Sequence, residues 1–365
     1  MDMSKSGLGV FANDDGHFNN KGARFVNGQV KKIISPTIIT RSKAGFDALG
    51  SSSANTYSTE NQIGAQVKEQ SYTVLDEIIP GQSNSFIDTN KESYQVSAPA
   101  RVMVNHMMRQ LGSTPSDKII LVTSSPIERF YKDGTRNEDY IKERELMMSK
   151  PVYLDGQNEP MHQIVKHIEI AESLGAFYND AIKYTFNKNK LRLSMDQAIV
   201  DQSSLYIDIG GRTIDTGVIQ NKAIISADCH TFEDSGMLAI HDKIRISLKP
   251  YRQNISRLEI DEIIRTKQFI PDLREARSIN VEDIVVKAIE EVLENAIGDI
   301  LDSYNFKDFN RVRFTGGSSS ILAPFIKRYV SDVSFSDTPL YDNVLGMLKF
   351  GELERIKLER ELKAA

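Results

Sequence analysis

The stretch that decides the fold runs from Leu205 to Ile219, LYIDIGGRTIDTGVI. Its apolar run ends on Asp208, turns on Gly210-Gly211, and leaves through the alternation Thr213-Ile214-Asp215-Thr216. A Gln220-Asn221 turn then leads into a further strand at Ala223–Ser226. The same order stands at the N-terminus. Runs at Leu8–Ala12 and Phe18–Val26 flank Asp14-Asp15-Gly16, and Asn27-Gly28, a strong hairpin signal, leads into Gln29–Ile34. A duplicated unit of strand, acidic glycine turn, strand, tight turn, strand is a sharper observation than either turn alone. A third glycine turn, Gly316-Gly317-Ser318-Ser319, follows the short apolar run Val312–Thr315 and opens a helix whose Ile321, Leu322, Phe325, Ile326 and Tyr329 share a face.

The rest of the chain alternates strands and helices, which indicates an α/β protein. Residues 50–93 are polar and read as a small irregular or β subdomain. Ser97–Leu111 has a capping serine and Pro99 in its first turn, so it reads as a helix. Ile119–Thr123 and Val165–Ile170 read as strands, and Ile141–Met148 as a charged helix. A helix from about Leu174 to Tyr184 follows Glu172. The clearest helix is Val281–Leu301, with Val281, Ile284, Val285, Ala288, Val292, Ala296 and Ile300 on one stripe. A charged helical tail over Glu352–Lys363 reads as a solvated helix with Glu359 and Lys363 as an i,i+4 pair.

A length of 365 residues suggests two domains, and 40% hydrophobic with 26% charged residues is ordinary for a soluble globular protein. The net charge of −5 argues against a general electrostatic grip on DNA. The single cysteine, Cys229, excludes an intrachain disulfide and a cysteine-rich zinc site, and reads as a small core residue. No membrane span or signal peptide is legible, so a reducing cytoplasm is expected.

Several chemistries are absent by motif. There is no Gly-x-x-x-x-Gly-Lys-[Ser/Thr], no Gly-x-Gly-x-x-Gly and no Gly-x-Ser-x-Gly. His162 and His167 stand five apart, which fits a shared metal on neither one helix face nor one strand face, so both read as structural. An Asp-x-Gly turn alone is most often a plain hairpin. Three such turns in this order point instead to phosphate. Glycines let backbone N–H groups approach an anion, Lys21 adds a point charge, and Asp14 and Asp208 suit a hydrated Mg²⁺. The third turn can offer the N–H groups of a helix start. Glu172, at a helix start, is either a dipole-stabilising residue or the group that orients an attacking water.

These residues together resemble the phosphate 1, phosphate 2 and adenosine motifs of the actin/Hsp70/sugar-kinase superfamily. Within it the chain is most similar to the ParM/StbA family of bacterial actin-like ATPases that segregate plasmids. Supporting stretches are ISPTIITR at Ile34–Arg41, SYQVSAPARVMVNHMM at Ser93–Met108, SSPIERFYKDG at Ser124–Gly134, AESLGAFYND at Ala171–Asp180 and LYDNVLGMLKFGE at Leu340–Glu352. The resemblance implies an actin-like α/β fold of two related domains flanking a nucleotide cleft. Domain I would span 1–172 with a small subdomain at about 40–95, domain II 173–338, a helix over 339–352 would return to domain I, and 353–365 would form the charged tail.

The same resemblance implies roles. Asp14 and Asp208 would flank hydrated Mg²⁺, and Lys21 would reach the phosphates. Gly16, Gly210, Gly211, Arg212 and Thr213 would line the two hairpins, and Gly316, Gly317 and Ser318 would lie against the nucleotide. Glu172 would activate water, and Glu262–Lys267 would fall at the base pocket. The substrate would be ATP or GTP. The partners would be further copies of the chain and a DNA-bound adaptor, with no direct DNA or membrane contact, in the bacterial cytoplasm. His17, followed by Phe18, departs from the family's small hydroxyl residue in the first turn, Arg212 from a small or Thr-like residue in the second, and the charged tail beyond Phe350 has no assigned counterpart. The alternatives are a non-polymerising actin-fold nucleotidase or kinase, and a nucleotide-binding scaffold without hydrolysis.

Overall fold

The computed structural model describes residues 8–16, 19–41, 55–63, 66–75, 86–89, 91, 93–188, 190–275 and 277–364. The chain divides into two compact units, Met1–Val200 with Tyr341–Ala365, and Asp201–Leu340.

The first unit is organised by Leu8–Asp15, whose alternate residues face opposite ways. Val10 and Ala12 pack with Ile120, Val122 and Ile170 under Val344, Met347 and Leu348 of the helix Asp342–Ala364. Phe11 packs the other way, with Ala100, Val104 and Met108 of the helix Ala98–Gln110. That helix starts as expected, with Ser97 accepting from the Ala100 N–H and Pro99 in the first turn. The sheet order is Gln163–Ala171, Lys118–Ser125, Leu8–Asp15, Asn19–Val26, Gln29–Pro36. The last three strands form an antiparallel meander, and the first two run parallel to Leu8–Asp15. Asn27 and Gly28 both take positive φ, 49° and 79°, which lets a two-residue turn follow the twist of its strands. A second sheet, Val152–Leu154, Thr56–Ile63, Gln66–Val74 and Ile39–Arg41, supplies the small β subdomain.

Two expectations need correction here. The helix after Glu172 ends at Ala181 rather than Tyr184, and Ile182–Asn187 pairs with Lys190–Met195 as a hairpin. Tyr184 and Phe186 alternate outward from it, and both rings meet Phe25 edge-on at 5.1 and 5.4 Å. That packing outweighs helical periodicity. The charged tail is also not simply solvated. It continues the helix Asp342–Ala364 without a break, and Glu352 and Arg355 are buried, with Arg355 Nε donating to Glu352 at 2.8 Å. Arg355 also donates to Glu359, while the Lys363 side chain lies outside the described residues.

The second unit repeats the arrangement. Its sheet runs Ala223–Ile224, Ile214–Gln220, Ser204–Ile209, Arg311–Thr315, Ser334–Phe335. Again a three-strand antiparallel meander is extended by parallel strands on the far side of its first strand. Its tight turn also uses two positive φ angles, Asn221 at 50° and Lys222 at 67°. The helix Glu282–Ser303 buries Val285, Ala288, Val292, Ala296 and Ile300 as the stripe predicts, together with Ile289, Leu293 and Ile297. In the helix Ser319–Tyr329 the buried face is narrower than predicted: Leu322 and Ile326 are buried, whereas Ile321 and Tyr329 are exposed. Cys229 is a buried free thiol whose sulfur accepts from the Val218 N–H. Among the described residues no helix is long and apolar enough to cross a membrane.

Candidate functional site

The first acidic turn lies at the mouth of Leu8–Asp15. Antiparallel register sets Asp14 opposite Lys21, and the ammonium meets the carboxylate at 2.8 Å. Gly16 follows. A Cβ there would lie 2.7 Å from the Asn19 carbonyl oxygen, so the turn admits no side chain at this position. Gly16 has no positive φ, and neither do Gly210 and Gly211. Gly16 and Gly210, whose added Cβ would lie 2.7 Å from the Asn19 carbonyl oxygen and 3.1 Å from the Thr213 carbonyl oxygen, therefore serve close backbone approach rather than left-handed geometry. Thr37 Oγ1 donates to the Gly16 carbonyl at 2.7 Å and ties the turn down. His17 and Phe18 lie outside the described residues.

Beneath this turn is a buried polar layer that sequence reasoning missed. Arg144, from the helix Glu138–Ser149, is fully buried. Its Nη1 and Nη2 both reach Asp15 Oδ2 at 3.2 Å, its Nε reaches Glu169 at 3.4 Å, and its Nη2 donates to Thr123 Oγ1 at 3.0 Å. Thr123 and Ser125 hydroxyls donate to Glu169, and His167 Nε2 stands 2.8 Å from Thr123 Oγ1. Burial pushes Asp15 up to about 6; Arg144 opposes this, and Glu169 and Asp14 add to it. Burial alone would lower the Arg144 guanidinium, but Asp15 and Glu169 outweigh it and hold it above its ordinary value. Burial also pushes His167 down to about 4. The one sequence signal for Arg144 is its i,i+4 spacing to buried Met148 on a helix otherwise rich in charge.

Glu172 stands just past the strand Gln163–Ala171, half-buried, with its N–H donating to the Ser125 carbonyl at 2.8 Å. Ser173, the next residue, is fully buried at φ 65°, an unusual conformation for a residue with a Cβ. Backbone held in this region at the start of a helix, Leu174–Ala181, is the kind of local strain that concentrates at functional positions.

In the second unit Asp208 sits at the mouth of Ser204–Ile209, and the turn Gly210–Thr213 closes with the Gly210 N–H donating to the Thr213 carbonyl at 2.9 Å. The Gly236, Met237 and Leu238 N–H groups, at the start of the helix Met237–Leu248, donate to the carbonyls of Arg212, Gly210 and Gly211. These bonds fix the turn from behind. The third turn packs directly on the second: Thr315 pairs with Asp208 across parallel strands, and Gly316 follows at φ 86°. A Cβ on Gly316 would collide with Asp208 Oδ1 and lie 2.5 Å from the Ile209 carbonyl oxygen. Gly317 and Ser318 then lead into the helix Ser319–Tyr329.

Two side chains differ from the simple picture of this turn. Arg212 points to surface acids, with Nη2 3.0 Å from Glu233 and Nε 3.6 Å from Asp234. Asp215, which sequence reasoning did not single out, is buried opposite Asp208 and accepts from Thr213 Oγ1 at 2.7 Å and Thr231 Oγ1 at 2.6 Å. Its alternation two residues beyond Thr213 was the available signal. Each of the two strand mouths carries a carboxylate, Asp14 in the first unit and Asp208 in the second, and carboxylate oxygen is a hard donor of the type Mg²⁺ prefers. Glu262 accepts from Arg265 on the helix Arg257–Thr266, and Lys267 caps that helix in the left-handed region.

Comparison with known proteins bears on this arrangement. The family model for the N-terminal part of plasmid segregation protein ParM matches residues 10–183, and the model for its C-terminal part matches residues 199–350. The chain belongs to the ParM plasmid-segregation family. Solved structures agree on the fold. A 15-stranded ParM filament from Clostridium botulinum aligns at TM-score 0.68 and 17% identity, over 95% of this chain and 99% of that one. Bacillus thuringiensis ParM with ATP aligns at TM-score 0.66 and 13% identity, over 96% and 100%. The archaeal actin homologue Ta0583 aligns at TM-score 0.71 and 13% identity, over 94% and 99%. The fold of this ParM-family chain is therefore actin-like. No curated protein matches it by sequence.

Proposed function

We propose that the chain is a filament-forming nucleotidase that hydrolyses ATP or GTP with Mg²⁺ and uses assembly to segregate plasmid DNA. The observation that carries this reading is the same acidic glycine turn at the same place in both sheets of a ParM-family chain. In this reading Lys21 neutralises phosphate charge, and the backbones of Gly16, Gly210, Gly211, Arg212 and Thr213 approach the phosphates closely. Gly316, Gly317 and Ser318 offer backbone at a helix start. The carboxylates that would hold hydrated Mg²⁺ are Asp14 and Asp208, and its charge would offset that of the phosphates. Glu172 orients the attacking water and takes its proton.

Head-to-tail contact between copies does not close on itself and gives a filament. Similarity to a ParM solved as a filament and to a ParM solved with ATP supports both halves of the reading. Growth against a DNA-bound adaptor in the bacterial cytoplasm would move plasmid copies. Pelleting and electron microscopy with Mg²⁺ and ATP, then GTP, test it: filaments are expected with at least one, and their absence under all conditions would sink the cytomotive reading. Glu172→Ala is expected to slow turnover by about 10²–10³-fold while leaving nucleotide affinity within a few-fold. Lost affinity instead would reassign Glu172 to structure.

A further inference from the structure

The geometry points to Arg144 as a positioning residue that sets the strand end carrying Asp14 and the strand end leading to Glu172 at one fixed separation. This rests on the roles proposed for Asp14 and Glu172. Three parallel strands end side by side in the first unit, with Lys118–Ser125 in the middle. Asn13, Thr123 and Glu169 occupy one register layer across them. One guanidinium reaches all three strands: Asp15 on the first, Thr123 on the second, Glu169 on the third. Asp15 is the residue after Asp14, and Glu169 stands three residues before Glu172. The Arg144 Nη1 also donates to the Gln95 carbonyl, which anchors the arginine from the loop above the sheet.

A stability role alone does not account for this cluster. A buried ion pair is often no better than apolar packing of the same volume, and here two buried carboxylates share one cation. What a guanidinium supplies that packing does not is a rigid planar fork with fixed directions. A lysine keeps the charge and loses the fork. Tyr140 ties into the same layer: its hydroxyl lies 3.1 Å from Ser125 Oγ and donates to Gln95 Oε1, on the residue whose carbonyl accepts from Arg144.

The test compares the unaltered chain with Arg144→Lys and Glu169→Gln in three measurements. These are thermal melting, affinity for a fluorescent ATP analogue, and turnover at saturating Mg²⁺ and ATP. Arg144→Lys is expected to bind within about threefold and to turn over roughly 10–100-fold more slowly, since an ångström of misplacement at a reacting group costs about that much. Glu169→Gln, which keeps the Arg144–Asp15 contact, is expected to show a smaller loss in turnover with affinity unchanged. If Arg144→Lys does not fold, Glu169→Gln decides alone. Wild-type turnover in a folded variant, whatever its melting temperature, would overturn the proposal and leave a structural role. Absence of turnover in the unaltered chain would overturn the underlying reading of Asp14 and Glu172, a result distinct from the first.

Discussion

Across the first acidic hairpin Asp14 faces Lys21, and across the second Asp208 faces Asp215. The first therefore carries its own cation, 2.8 Å from the carboxylate. The second sets two acids on one face and holds the deeper one with the hydroxyls of Thr213 and Thr231. The two hairpins share a topology and differ in their electrostatics. On the proposed function, the negative charge gathered at the second turn would suit a divalent ion there, and the lysine of the first would suit direct contact with phosphate.

The sharpest way to break this comparison is at glycine. Gly316 combines a φ of 86° with a blocked Cβ site against Asp208 and Ile209. Gly16 has a blocked site at 2.7 Å but no positive φ. Gly316→Ala should cost on the order of 4 kcal/mol by urea unfolding, from backbone strain plus overpacking, and Gly16→Ala about 2 kcal/mol. Equal costs would mean that the two turns are not braced differently.

Acid separates the units next. Asp15, His162 and His167 all lie in the first unit. Burial pushes His162 down to about 4 from an ordinary 6.5, against a weaker upward pull from Asp117. Its neutral form is favoured on folding, so its contribution is complete above pH 6.5 and is lost as pH falls through about 4. His167 acts in the same direction. Asp15 acts oppositely: its folded value is raised from 3.8 to about 6, so its contribution is present below 3.8 and lost as pH rises through about 6. His162→Gln should reduce the stability lost between pH 6.5 and 4 by on the order of 3 kcal/mol, measured by denaturant titration at each pH. An unchanged pH slope would show that His162 is solvated in the folded chain.

Lys21 probes the countercharge directly. Lys21→Ala should weaken nucleotide binding by about 10–100-fold, read by titration with a fluorescent analogue, because a charge-assisted contact to phosphate is worth roughly 1.5–3 kcal/mol. The loss should persist without Mg²⁺. A loss confined to Mg²⁺-containing buffer would move Lys21 from the phosphates to the metal side.

Much of this architecture was legible because short patterns dictated it. Asn27-Gly28 and the acidic turns marked the meanders, and the stripe from Val285 to Ile300 marked its helix. What stayed hidden depended on long-range packing. The helix after Glu172 stops at Ala181 because Tyr184 and Phe186 find Phe25, about 160 residues earlier in the chain. Arg144 looks like any surface arginine until three strand ends converge on it. Asp215 was visible as an alternation, yet its pairing with Asp208 exists only once the strand register is fixed.

Arg212 should give the smallest effect, and for a reason that bears on both turns. Its backbone is clamped by the Gly236 N–H, which donates to its carbonyl at 3.1 Å, so the turn keeps its shape without the side chain. The guanidinium meets Glu233 and Asp234, whose side chains are 62% and 82% exposed. Ion pairs that open to water contribute roughly 0–1 kcal/mol. Arg212→Ala should therefore shift stability by under about 0.5 kcal/mol and nucleotide affinity by less than about twofold. A Lys21-sized loss of affinity would mean that the arginine leaves its acids when phosphate binds. The second turn would then also carry its own cation, and the contrast between the two hairpins would dissolve.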